Sequence, residues 1–280
     1  MLDTTLKAPQ TMRYPAILER LAEPDAEGAC LCRVHHRNGT LEGWTWLSTL
    51  GNPGPMTGEV TTMEIQCADT EFLVLGFEPL PELPLAEAID EQRCPIPGLV
   101  PQVSDLIESL RSAALYRFVR EALLHPDALL HFWISPASRR DHHAYPGGLA
   151  EHSLEVATMV ASASGLPKDD REIGIVFALL HDYGKLWCYG PEAPRRSSQA
   201  HEQIGYEALL PALDRLIEAE PDAGARLAEL LGGPKAPRES AYPLAIGTIV
   251  RAFDQMSCEK TRRPKPSPPT SPWPASLDGG

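Results

Sequence analysis

Residues 179–185 read Leu179-Leu180-His181-Asp182-Tyr183-Gly184-Lys185, an apolar run that ends on an adjacent imidazole and carboxylate. A bare carboxylate buried at the end of such a run costs roughly several kcal/mol unless a cation compensates it. Carboxylate and neutral imidazole together suit a divalent first-row metal. Gly184 reads as the end of a helix, and Lys185 follows where a cation can meet a phosphate. The stretch thus predicts a helix that delivers His181 and Asp182 to a metal, with Asp182 and Lys185 as candidate catalytic residues.

Immediately upstream, Arg139, Arg140, His142 and His143 lie in a loop bracketed by Pro136 and the Pro146-Gly147-Gly148 turn. A helix is expected from Leu149 to about Ala163. Leu149, His152, Val156 and Val160 fall at steps of three, four and four, so His152 shares the apolar face. Taken alone, an inward imidazole is more often a hydrogen-bonded core residue than a ligand. The next helix, about Lys168 to Tyr183, opens on Asp169, Asp170 and Glu172, which favour its N-terminus. Another starts near Gln199, carries His201 and is kinked or split by Pro211. Helices over Asp222–Leu231 and about Tyr242–Cys258 follow, and Asp254 ends the apolar stripe of the last. Before the loop, Ser104 reads as the cap of a helix through Leu106, Leu110, Ala114, Phe118 and Ala122, with a short helix over Ala128–Ile134.

The N-terminal hundred residues have another texture. Residues 1–28 read as a lead-in with a short helical candidate, Ala16 to Ala22. Over 29–78, four short strands (Cys30–Val34, Trp44–Leu47, Thr61–Cys67, Phe72–Phe77) are separated by turn residues, Asn38-Gly39 among them. This small β-rich module of four or five strands is either a barrel-like nucleic-acid binder or a structural appendage, since strand count does not fix function. His35 and His36 are expected on an exposed hairpin, and Cys30-x-Cys32 lacks the second cysteine pair of a zinc site. Pro79, Pro81, Pro84, Pro95, Pro97 and Pro101 mark a linker over 79–101. Residues 259–280, rich in Pro, Ser, Lys and Arg, read as a disordered tail. The expected fold class is α+β: a small N-terminal β-rich module followed by an all-helical domain over 102–258.

The totals bound the function. The chain has 280 residues, 43% of them hydrophobic, and a formal net charge of −13. Such acidity argues against a broad nucleic-acid-binding surface, though not against a local basic channel. Six scattered cysteines, no apolar leader and no stretch long enough to span a bilayer make a cytoplasmic protein without a membrane partner the expectation. The oligomeric state is not legible.

The pattern His152 … His181-Asp182 … Asp254, with each part on its own helix, resembles the HD superfamily of metal-dependent phosphohydrolases. The flank from Pro136 to Ala157 closely resembles the HD domain of MobH-class conjugative relaxases, and Ala252-Phe253-Asp254-Gln255-Met256-Ser257 resembles the end of that domain. The run His143 to His152 also resembles YhaM-type 3′→5′ exoribonucleases, which join a small β-barrel to an HD domain. The resemblance covers about residues 104–258. It implies that His152, His181, Asp182 and Asp254 bind a divalent ion, Mn first and Mg, Fe, Ni or Zn as alternatives, with His201 a further candidate ligand. The YhaM-type pattern has a His-His pair where this chain, about Leu227 to Gly233, has none. His142, His143 or a substrate phosphate would have to replace it. Arg139, Arg140, His142 and His143 are the candidate phosphate contacts; His143 has the alternative of simply holding the Pro146-Gly147-Gly148 turn. The substrate implied is single-stranded DNA or RNA, with nuclease or conjugative DNA processing as the activity. The alternatives are a nucleotide phosphohydrolase and a non-catalytic nucleic-acid-binding module.

Overall fold

The computed structural model describes residues 10–47, 55–66, 70–189, 201–233 and 244–262. Five strands, β1 (Gln10–Arg20), β2 (Cys30–His36), β3 (Gly39–Thr45), β4 (Met56–Gln66) and β5 (Thr70–Pro79), close into a barrel in the order β1-β2-β3-β5-β4. All pairs are antiparallel except a short parallel contact of β3 with β5, Trp44 opposite Leu73 and Thr45 opposite Val74. Ala16, Leu18, Cys32, Val34, Val60 and Val74 fill the interior.

The first strand corrects the sequence reading, which had a lead-in and a helical candidate over Ala16–Ala22. Ala16 and Leu18 point into the barrel, while Ile17 between them is fully buried in the helical core. A strand covered on both faces loses its alternation and reads as a continuous apolar run, which periodicity cannot tell from a buried helix. The β2–β3 hairpin turns at Arg37-Asn38, since His36 already pairs with Gly39. His35 is not exposed: it is 3% accessible, and its Nε2 lies 3.2 Å from Glu19 Oε2.

The expected linker is a packed connector. Helix α1 (Leu85–Ala88) and a 3-10 turn (Glu91–Arg93) lie within it, and Leu83, Leu85, Ala88, Ile89 and Cys94 join the helical core. Helix α2 (Leu99–Glu108) includes Pro101 in its first turn, where a missing N–H breaks no helical hydrogen bond. The helix expected from Ser104 is two helices, for α3 (Ala113–Leu124) starts afresh with Ser112 as its cap. Glu172 makes that break by accepting from the N–H groups of Arg111 and Ser112. Ser104 is no cap; its hydroxyl accepts from Ala86 N–H.

The remaining elements are α4 (Pro126–His131), α5 (Gly148–Ser162), α6 (Lys168–Leu180), a 3-10 turn (Tyr183–Lys185), α7 (Leu186–Tyr189), α8 (His201–Ala219), α9 (Pro221–Leu231) and α10 (Ala245–Arg262). Helices α5 and α6 pair at the centre, and α10 packs on both. Helix α8 runs unbroken through Pro211, which is exposed, as is Glu207, the residue whose carbonyl the proline cannot serve. Helix α10 runs four residues past Cys258 into the expected tail, and Lys260 is tied to Glu155. The rest of the tail, 263–280, lies outside the described residues, as do Cys67 and residues 51–54 between two of the expected strands. Among the described residues no helix is long and apolar enough to cross a membrane.

Candidate metal centre

Three elements converge on one point. Helix α5 presents His152 at 0% exposure, the C-terminal end of α6 presents His181 and Asp182, and α10 presents Asp254. His152 Nε2 lies 3.1 Å from Asp254 Oδ1 and 3.5 Å from Asp182 Oδ2. His181 Nε2 lies 3.4 Å from Asp182 Oδ2 and 3.9 Å from Asp254 Oδ1. At the start of α8, His201 Nε2 lies 3.2 Å from Asp182 Oδ1.

Glycine sets this last distance. A Cβ on Gly184 would sit 1.8 Å from the His201 carbonyl oxygen and 2.6 Å from Gly205 N, so α8 approaches the 3-10 turn only because residue 184 has no side chain. Tyr183 anchors the same turn from behind, its hydroxyl donating to the Ala122 carbonyl at 2.6 Å. The loop before α5 is held in a similar way. His143 has φ 46°, and a Cβ on Gly148 would lie 2.1 Å from its carbonyl oxygen.

The ring nitrogens distinguish a ligand set from a plain ion-pair cluster. His181 Nδ1 lies 2.8 Å from the Ala178 carbonyl, which only accepts, so Nδ1 carries the proton and Nε2 the lone pair. Nε2 of His181 and Nε2 of His152 are buried without a hydrogen-bond partner, and both face carboxylate oxygens. Buried polar nitrogens are seldom left so. Donor atoms each ~2.1 Å from one ion stand roughly 3.0 Å apart when cis on an octahedron and roughly 3.4 Å apart on a tetrahedron. The observed separations run from 3.1 Å, close to the octahedral value, to 3.9 Å, and bracket the tetrahedral one. The donor set therefore fits a divalent ion.

Electrostatics agree. Burial opposes ionisation of Asp182, yet the Lys185 ammonium and the imidazoles of His181, His201 and His152 outweigh it and hold the carboxyl well below its usual range. Burial likewise resists the charge on Asp254, but its contact with His152 and the nearby His181 lower its pKa. Burial pushes the His152 imidazole down, against the pull of both carboxylates, and so favours its neutral, ligating form. Burial, then His152 and Lys185, push His142 down to about 4.

Not every expected phosphate contact faces the centre. Lys185 is 8% exposed and its ammonium rests on Asp182, so its charge compensates a carboxylate in this state. His143 is 2% exposed and directs Nε2 at Glu155, 3.4 Å away. In this arrangement its ring is turned to Glu155, as in the alternative in which it holds the loop. Arg139 and Arg140 are exposed, and the Arg139 guanidinium lies over the Tyr189 ring at 5.6 Å. His142 is half-buried, its ring centroid 5.4 Å from that of His152.

Three residues close to the centre were not legible as site residues. Ser257 and Glu155 form a hydrogen-bonded pair behind His152. Cys258 Sγ lies 3.4 Å from Asp254 Oδ1, within 4.8 Å of the donor atoms of His142 and His152. The available signal was helical spacing: Glu155 follows His152 by three residues, and Ser257 follows Asp254 by three, which puts each on its ligand's face.

Two family models match the chain. One, described as "HD domain", covers residues 149–257; the other, TraI_2, described as "Putative helicase", covers residues 105–166. No curated protein and no solved structure matches. HD domains are in general metal-dependent phosphohydrolases, and the HD match spans His152, His181, Asp182, His201 and Asp254. The helices that build the centre are thus an HD domain with a TraI-type flank.

Proposed function

We propose that this chain is a divalent-metal-dependent phosphohydrolase that cleaves phosphodiester bonds in single-stranded nucleic acid. The observation that carries the reading is the pair of buried, partnerless Nε2 atoms of His152 and His181, aimed at the carboxylates of Asp182 and Asp254. His152, His181, Asp182 and Asp254 would hold the ion, with His201 beside Asp182. A bound divalent ion supplies Lewis acidity, which neutralises charge on a phosphoryl oxygen and activates water. The protein supplies the rest. Its buried Asp182 keeps its charge, burial favours the neutral form of the His152 imidazole, and Lys185 balances Asp182 while lying close enough to meet added negative charge. Exposed Arg139 and Arg140 share a loop with His142 and would meet a phosphate backbone.

A nucleic-acid substrate draws support from the barrel, on which Trp44 and Trp46 are 42% and 56% exposed and offer flat faces for base stacking. With the relaxase resemblance of the Pro136–Ala157 flank, conjugative DNA processing is the context in which we place it. A second reading, hydrolysis of free nucleotides, is favoured by charge. Arg13, Arg20 and Arg33 of the barrel all sit on carboxylates, and the whole chain carries −13.

The test is metal analysis of the purified protein together with Mn-dependent hydrolysis of labelled single-stranded RNA, single-stranded DNA and free nucleotides. Cleavage of an oligonucleotide that disappears in Asp182→Ala, with the variant still folded, is the expected result. Turnover of nucleotides alone selects the second reading. Tight oligonucleotide binding without hydrolysis under any metal removes the enzyme reading.

A further inference from the structure

The HD ligand set leaves unexplained why a buried serine, a partly buried glutamate and a lysine line up behind His152. Ser257 is 1% exposed. Its hydroxyl lies 2.7 Å from Glu155 Oε2 and 3.1 Å from His152 Nδ1. A hydroxyl has one proton. The Glu155 carboxylate only accepts, so that proton goes to Glu155, and towards His152 the oxygen can only accept. Nδ1 must then carry the ring hydrogen, which leaves the lone pair on Nε2, the nitrogen that faces Asp182 and Asp254. Glu155 is itself fixed from two further sides. Lys260 donates to its Oε1 at 2.8 Å, and His143 Nε2 lies 3.4 Å from its Oε2. The left-handed backbone at His143, closed over Gly148, holds that ring in place.

We propose that Ser257 and Glu155 are positioning residues for the metal centre: a Glu155–Ser257–His152 relay that locks His152 in the Nδ1–H tautomer and aims Nε2 at the ion. The inference rests on the metal reading for its purpose but not for its geometry. It gives the end of α10 two duties, since Asp254 reaches the centre directly and Ser257, one turn later, acts through His152. It also explains the use of serine at 257, because alanine supplies no acceptor and a cation there would compete with the ion. Partners of this kind behind a ligating histidine typically change metal affinity about 10–100-fold. His181 has its own lock in the Ala178 carbonyl, so the relay concerns one ligand only.

The experiment has two arms on full-length protein. The first reads the His152 tautomer in metal-free wild type by nitrogen NMR of labelled histidine, with Ser257→Ala and Ser257→Thr alongside. The expected result is Nδ1–H in wild type and in Ser257→Thr, and a mixture or Nε2–H in Ser257→Ala. The second titrates Mn²⁺ calorimetrically into the same proteins and into Glu155→Gln. Ser257→Ala and Glu155→Gln are expected to bind about 10–100-fold more weakly, with Ser257→Thr close to wild type. An Nε2–H tautomer in wild type, or wild-type Mn²⁺ affinity in Ser257→Ala, overturns the relay. Wild type that is Nδ1–H but binds no ion refutes the metal reading and leaves the relay standing. Circular dichroism of each variant separates these outcomes from unfolding.

Discussion

Asp182 and Lys185 form a buried charge pair one helical turn apart, 4% and 8% exposed, at the edge of the HD centre. Removing one member of such a pair leaves the other charged in a poor solvent, which typically costs about 3–5 kcal/mol. Lys185→Met in metal-free protein is expected to lose that much, measured by urea unfolding. Saturating Mn²⁺ should restore part of it, since the ion takes over the compensation of Asp182; equal losses with and without Mn²⁺ contradict the placement of the ion beside Asp182. Glu155 makes a pH-dependent contribution. The bond to His143 holds its carboxyl down at about 2, against burial and with help from Lys260 and Ser257. A carboxyl depressed on folding stabilises above its unfolded pKa of about 4.3 and loses that contribution as pH falls towards its folded value. The deficit of Glu155→Gln should therefore be complete near pH ~6 and shrink between about pH 4.5 and about pH 2, as followed by urea midpoints across that range; a deficit unchanged by pH refutes the charge account. At this scale the sequence was informative where chemistry is contiguous. His181-Asp182 are adjacent, and His152 stands out on an apolar face. Ser257 and Glu155 were silent because a polar residue on a helix acquires its role only from a partner about a hundred positions away.

The site depends on how closely α8 approaches the 3-10 turn after α6. Gly184 and Gly205 face each other there: a Cβ on Gly205 would lie 2.7 Å from Gly184 N, and one on Gly184 would lie 2.6 Å from Gly205 N. A side chain at 184 would meet backbone rather than a movable side chain, so α8 must shift. Gly184→Ala is expected to destabilise by about 1–3 kcal/mol, the usual range for overpacking, and to move His201 away from Asp182. Chemical-shift changes at His201 together with the unfolding midpoint check it; wild-type values for both are incompatible with the close approach. Sequence reading took Gly184 for a helix stop and had no means of seeing this second role, which is set by a separate helix that begins at His201. Pro211 illustrates the reverse error. Its position suggested a kink or a split, but α8 is one helix across it, and both Pro211 and Glu207, whose carbonyl loses its helical partner, are exposed residues.

The order of a β-rich module then helices was legible from the change of hydrophobic period near residue 100, whereas closure of the strands into a barrel and the way the two units join were not. Strand β1 serves two cores at once: Ala16 and Leu18 fill the barrel, and Ile17 is buried among the helices with Leu85 and Ala88. The connector read as a linker packs on β1 and β2, and the buried Glu19–His35 contact joins those two strands. The barrel is thus fixed on the helical unit, which holds any strand-borne substrate contact at a set position relative to the metal centre. Ile17→Ala removes most of a buried side chain from the shared strand, and a deletion of that size in a core typically costs about 2–5 kcal/mol. Because its neighbours belong to both cores, faster hydrogen exchange should appear in β1 and β2 and also in α1 and α2. Val60→Ala, whose side chain lies in the barrel interior alone, should loosen the strands and leave the helices at their wild-type rates. If Ile17→Ala affects the strands only, the two units are tethered rather than joined, and the barrel could not deliver a substrate to a fixed point.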